Sequence, residues 1–144
     1  MNIDLNKNDK TPHNYQIDAS AKSVNSYLQE LKKSISSTAP KYDAIMCTAG
    51  SFAMNSIKSE GFFDGYDSMH QANVVPSLLT AHLAGSYLKD GGLCVLTGAE
   101  FIFKNPAGNM MDYALSKNLV HSLAHNLAQS GNLAEGSSLV TILP

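Results

Sequence analysis

The sequence predicts an α/β fold built on a mostly parallel sheet. Short apolar runs alternate along the chain with longer stretches of helical periodicity, the order expected of strands joined by helices. Two of those runs, YDAIMCTAG and LCVLTGA, are continuous rather than alternating, the pattern of strands buried on both faces. Both end in small residues, and each is followed by a helix-like segment after a loop.

The elements follow in order. NIDL, near the start, is a short strand candidate ending beside Asp4. A polar stretch rich in Asn and Lys leads to YQID, a second short strand ending in Asp18. From Ala19 to Ser37, Val24, Tyr27, Leu28, Leu31 and Ile35 recur at helical spacing, and Pro40 closes that unit. YDAIMCTAG is the third strand. Residues from about Tyr66 to Lys89 read as one long helix, with Met69, Val74, Leu78, Leu79 and Leu83 apolar, stopped by KDGG. LCVLTGA is the fourth strand and FIFKNPAGNMM a loop. A helix then carries Tyr113 and ends near Gly131, and SSLVTILP is a last strand. There is no repeat or low-complexity tract, so residues 1–144 read as a single domain.

Bulk properties exclude some partners. The chain has 144 residues, 44% hydrophobic and 15% charged, an ordinary globular balance. A formal charge of −2 gives no electrostatic reason to expect nucleic acid or an anionic membrane. No apolar run approaches membrane-spanning length, and no signal peptide is evident. Cys47 and Cys94 lie inside apolar strand candidates, so buried free thiols are expected, which fits a reducing, cytoplasmic compartment.

In parallel α/β sheets, ligands bind beyond the carboxyl ends of the strands. Asp4, Asp18, the TAG after Cys47 and the TGA after Leu96 all stand at such ends. One loop later, DYALSK sets Tyr113 and Lys117 four apart, on one face of a helix. A phenol has a reference pKa near ~10 and handles protons at neutral pH only if a neighbouring cation stabilises its anion. Lys117 supplies such a charge. His121 and His125 are also four apart, but no acid lies between them and no third ligand is evident; no metal site is expected, and the pair reads as helix surface or subunit contact.

These segments, in this order, resemble the short-chain dehydrogenase/reductase family, and within it the members that reduce dihydropteridines. CTAG stands where the family has Asn-Asn-Ala-Gly, and YALSK is its Tyr-x-x-x-Lys motif. DAIMCTAG, HLAGSYLKDGGLCVLTGAE, YALSKNLVHSLAHNLA and LVTILP carry the narrower likeness, which is close from about Lys41 to Pro144. The family's first strand, its Gly-x-x-x-Gly-x-Gly phosphate loop and its first helix have no counterpart here, nor does its C-terminal end. The expectation is a fragment or variant product of a working enzyme, a partial Rossmann-like, doubly wound sheet that must re-pair or leave edges where the family's central strand is missing.

The resemblance implies an oxidoreductase that passes hydride from NADH, less readily NADPH, to a quinonoid dihydropterin and so regenerates tetrahydropterin. Tyr113 would deliver the proton, Lys117 would hold the nicotinamide ribose, and Asn73 would steady Lys117 through water. The competing reading of Asn73 is a polar residue on the solvent side of a helix N-terminus. Asp4 would bind the adenosine ribose, or be an ordinary strand terminus; Asp18 would meet the adenine, or cap the next helix. Ala49 and Gly50 would let backbone approach the cofactor, and Thr97 would offer a hydroxyl. Where many members carry a catalytic Ser, this chain has Glu100, or Gly98 if the strand is aligned. The helices beginning near Tyr66 and Tyr113 imply a homodimer. Two alternatives stand beside this one: a catalytically silent relative retaining only the dimer helices, or a reductase of carbonyl substrates. The second predicts that Ser in place of Gly98 or Thr97 raises activity.

Overall fold

The computed structural model describes residues 1–17, 24–36, 41–104 and 106–144. Contacts group the chain into two compact units, Met1–Pro40 and Lys41–Pro144.

In the first unit, β1 (Asn2–Asp4) and β2 (Asn14–Gln16) pair in parallel, Asn2 opposite Asn14 and Asp4 opposite Gln16. The polar stretch between them has no apolar pattern and is organised by one side chain. Asn14 Nδ2 donates to the carbonyls of Asn8 and Thr11, both at 2.7 Å. Its Oδ1 accepts from the Asn8 N–H at 3.1 Å and the Thr11 hydroxyl at 2.8 Å. Side chain-to-backbone bonds of this kind fold a segment that has no core to bury. Helix α1 (Val24–Ser36) buries Leu31 and Ile35, one turn apart, as their spacing predicts. The Tyr15 hydroxyl reaches Glu30 at 3.0 Å and links β2 to α1.

In the second unit, β3 (Tyr42–Met46), β4 (Leu88–Thr97) and β5 (Ser138–Ile142) form a parallel sheet with β4 in the centre. Among the described residues the first unit holds a two-stranded sheet and the second this three-stranded one. Ile45, Cys47, Leu88, Cys94, Leu96 and Leu139 of the sheet and its strand ends pack with Ala84, Val120 and Ala124 from the helices. Both cysteines are buried free thiols; burial, with Cys47 nearby, pushes the Cys94 thiol up to about 11. The expectation of two-sided burial holds only for β4, where Cys94, Val95 and Leu96 are all buried. In β3 no residue of Tyr42–Met46 is fully buried and Met46 is 58% exposed, while β5 alternates, with Val140 and Ile142 exposed. β3 and β5 flank the sheet, and an apolar run by itself does not distinguish a flanking strand from a central one.

The long helix starts earlier than its periodicity suggests and is not uniform. Helix α2 (Phe62–Met69) passes into a wide π turn (His70–Val74) and then α3 (Val75–Tyr87). Pro76 sits just past the wide turn. It has no N–H to donate and its ring crowds the preceding turn, so the ladder must open there. The opening buries Asn73 and Val74. Downstream, KDGG is not a simple helix stop. β4 begins at Leu88, opposite Tyr42, and the next matched pair is Ala44 with Leu93, so Lys89–Gly92 bulge out of the ladder. Gly91 has φ +70°, and its N–H donates to the Glu135 carbonyl at 2.8 Å. The segment 101–104, read as loop, forms the short helix α4 (Phe101–Lys104), and α5 (Met111–Gln129) follows.

A Cβ at Gly91 would meet nothing within 4 Å, so Gly91→Ala tests backbone strain alone. It should cost about 1–2 kcal/mol, the penalty of a left-handed L-residue, read as a lower midpoint in urea with an unchanged slope.

Candidate active site

The carboxyl ends of β3 and β4 are tied together at the point where α5 crosses them. The Thr97 hydroxyl donates to the Cys47 carbonyl at 2.8 Å. The Thr97 carbonyl accepts from Lys117 Nζ at 3.0 Å. Thr97 is thus engaged through both its side chain and its backbone. Lys117 is 4% exposed. Burial lowers its pKa, and the nearby Cys47 opposes that shift. Nζ lies 5.9 Å from the centroid of the Tyr113 ring. Tyr113 is half-buried, and burial raises its pKa above the ordinary phenol value, so it stands as a protonated acid at neutral pH. Phe52 packs edge-on against the same ring, centroids 4.9 Å apart.

Asn73 reaches this pair from the π turn. It is 1% exposed, which excludes the solvent-side reading. Its Oδ1 accepts from the Ser51 N–H at 2.9 Å, and its Nδ2 faces the Ser51 carbonyl at 3.1 Å and Ser116 Oγ at 3.0 Å. Ser116, fully buried, donates in turn to the Tyr113 carbonyl at 2.7 Å. Asn73 therefore meets the Tyr113–Lys117 turn through Ser116. Gly50 lies beside it: a Cβ there would sit 3.1 Å from Asn73 Oδ1 and 3.5 Å from Lys117 Nζ. Ala49 is exposed next to it.

A second set of bonds fixes the start of α5, and sequence reasoning missed it. Asp112 has no solvent exposure. Its carboxylate accepts from the Asn55 N–H at 3.2 Å, Asn55 Nδ2 at 2.7 Å and the Tyr113 N–H at 2.8 Å. Met111 N–H adds a bond to the Asn55 carbonyl at 2.9 Å. The loop after β3 is thereby clamped to the residue preceding Tyr113. Burial pushes the Asp112 carboxyl up, but the bonds from Asn55 and Tyr113 together outweigh it and hold its pKa below the usual value. Gly65 of α2 passes so close that a Cβ would fall 2.4 Å from Asn55 Nδ2. An acid in the first turn of a helix was the one available signal.

Asp4 is exposed at the end of β1, where its Oδ1 accepts from the Asn6 N–H at 3.0 Å. Asp18 lies outside the described residues. His121 is not a plain surface residue: its Nε2 accepts from the Ala99 N–H at 3.2 Å, whereas the exposed His125 meets Gln129. Among the described residues no three His, Cys, Asp or Glu side chains cluster as metal ligands, and no helix is long and apolar enough to cross a membrane.

Comparison with known proteins agrees with this architecture. No protein-family model matches the chain. It is 30% identical over 146 aligned residues to a protein named dihydropteridine reductase from Dictyostelium discoideum, covering all of this chain and 61% of that protein. A short-chain dehydrogenase/reductase from Serratia marcescens superposes with a TM-score of 0.72 at 20% identity, over 91% of this chain and 51% of the other. A short-chain dehydrogenase from Burkholderia cenocepacia, solved in complex with NADP, gives 0.65 at 23% identity, over 84% and 47%. The chain thus spans between about half and three fifths of the length of these relatives. Its fold is the Rossmann-like fold of the short-chain dehydrogenases/reductases, and its sequence resembles dihydropteridine reductase.

Two substitutions test the site's construction. Asp112→Ala leaves three N–H groups without their acceptor and should cost about 2–3 kcal/mol in a denaturant titration at neutral pH. A carboxyl held below its usual value stabilises the fold above about pH 4, and loses that contribution as pH falls through its own lower pKa. The alanine variant should lack that part of the acid limb. Gly98→Ser should destabilise by about 1–3 kcal/mol from overpacking rather than raise activity. A Cβ at Gly98 would lie 2.6 Å from the His121 ring and 2.9 Å from the Thr141 methyl.

Proposed function

We propose that this chain, with the fold of the short-chain dehydrogenases/reductases, carries the proton-handling part of an NADH-dependent reductase of quinonoid dihydropterins. One observation carries the reading. Lys117 is buried beside Tyr113 with its ammonium bonded to the carbonyl at the end of β4, the strand edge where such folds bind ligands. The likeness to a protein named dihydropteridine reductase supports the choice of pterin over a carbonyl compound. So does the lack of room for a serine side chain at Gly98. A quinonoid pterin is already electrophilic and needs less polarisation than a ketone.

The donor set fits a ribose. An ammonium has three N–H groups, and the Thr97 carbonyl takes one, so others are left for sugar hydroxyls. Bound nicotinamide would supply the hydride. Tyr113, kept protonated by burial, would hand its proton to the reduced pterin, with Lys117 stabilising the phenolate left behind. Asn73 and Ser116 hold the helical turn that bears both groups. The preference for NADH over NADPH rests on the resemblance alone; Ala49 and Gly50 would lie along the cofactor. Phe63, Leu78, Leu115 and Leu119 are exposed on α2, α3 and α5, which suits a homodimer formed through these helices. A cytoplasmic setting accords with the two free thiols.

The silent-relative reading draws on one specific feature: the 144 residues contain no Gly-x-x-x-Gly-x-Gly loop to cradle a pyrophosphate. NADH fluorescence separates the two. Binding, with NADH oxidised on addition of quinonoid dihydropterin, is expected; no binding at millimolar NADH would sink the reductase reading for this chain. In an active protein, Tyr113→Phe should lower kcat by about 10²-fold or more, with a smaller effect on KM, the usual scale for a lost proton donor.

A further inference from the structure

Lys117 and His121 are one helical turn apart on α5, and they bind backbone groups on either side of Gly98, whose own N–H donates to the Ile142 carbonyl at 2.9 Å. Lys117 donates to the Thr97 carbonyl, and His121 Nε2 accepts from the Ala99 N–H. Gly98, between them, lies so near the imidazole that even a Cβ would not fit. Phe103 of α4 closes the far side edge-on, with ring centroids 4.6 Å apart. We infer that His121 is a positioning residue: as a neutral imidazole it fixes the Gly98–Ala99 turn, so that the Thr97 carbonyl stays on Lys117.

The chemistry of the bond sets the protonation state. An acceptor Nε2 on a neutral ring places the proton on Nδ1. Protonation of Nε2 would set one N–H against another and place a second cation one turn from Lys117. The charges around the ring are few. Besides Lys117, the β4–α4 segment brings Glu100 and Lys104, paired with each other at 2.6 Å and exposed, and α5 adds His125. β5 has no charged residue and presents Thr141. Burial, and after it the Lys117 charge, lower the His121 pKa; the bond accepted from the Ala99 N–H is made only by the neutral ring and favours the same state. The folded chain prefers the neutral ring. The hold on the turn is complete above the ordinary histidine pKa and is lost as pH falls through the lower value of His121.

The importance of this turn for turnover rests on the reductase reading, but the inference is testable without cofactor or substrate. The probes are the imidazole nitrogen shifts, the Ala99 amide exchange rate corrected for intrinsic pH dependence, and the titration of the Lys117 side chain, all by NMR on the intact chain. The neutral Nδ1–H tautomer and a His121 midpoint below about 6.5 are expected. Removing the acceptor in His121→Phe should speed Ala99 exchange about tenfold and shift the Lys117 titration. His121→Gln keeps an acceptor that cannot titrate, so it should restore both and abolish the loss of protection in acid. If the phenylalanine variant fails to fold, the glutamine variant decides alone: the same acid loss as wild type overturns the inference. An Nε2–H tautomer, or Ala99 exchange unchanged in His121→Phe, also overturns it. Absence of NADH binding would sink the reductase reading and leave these outcomes untouched.

Discussion

A buried ammonium constrains everything near it. Taking a charged group out of water is costly unless polar partners replace the solvent, and Lys117 has been taken almost wholly out of water. The Thr97 carbonyl is the replacement, so β4 must end where its last carbonyl points at α5. Around that carbonyl the Thr97 hydroxyl is bonded to the end of β3, the Gly98 N–H to the Ile142 carbonyl of β5, and the Ala99 N–H to His121. The position of one cation thus fixes the ends of two strands and the helix that crosses them.

The same economy governs the rest of the site. Asn73 has an acceptor and two donors, and uses them to join the loop after β3 to Ser116. Asp112 has no donor, so it gathers three N–H groups and joins that loop to the start of α5. Each connection crosses between elements far apart in sequence, and each is fully satisfied. Buried polar groups arranged in this way specify a geometry more sharply than apolar packing does, because an alternative arrangement leaves one of them unpaired. The wide turn before Pro76 belongs to this scheme, since it is the opening that places Asn73 inside.

The comparison of sequence and structure separates kinds of information. Helical periodicity located α1, the long helix and α5, because a buried face leaves its spacing in the residues themselves. Tyr113 and Lys117 were legible because four residues make one turn whatever surrounds them. β4 and β3 read alike as apolar runs, yet Met46 is exposed and Val95 is buried. His121 was read as helix surface or subunit contact because a helical pattern does not name the backbone group a side chain will face.

By itself, the sequence determined the alternation of strands and helices, the parallel class of the sheet and the pairing of a phenol with an amine on one helical face. These depend on local spacing, which the chain carries with it. Only the tertiary structure decided which strand lies in the centre, that Asn73 is bonded to Ser116, that Asp112 clamps a distant loop, and that Gly98 leaves no room for a serine beside His121. Those facts arise where segments distant in sequence meet, and the distances between them are set by packing, not by spacing along the chain.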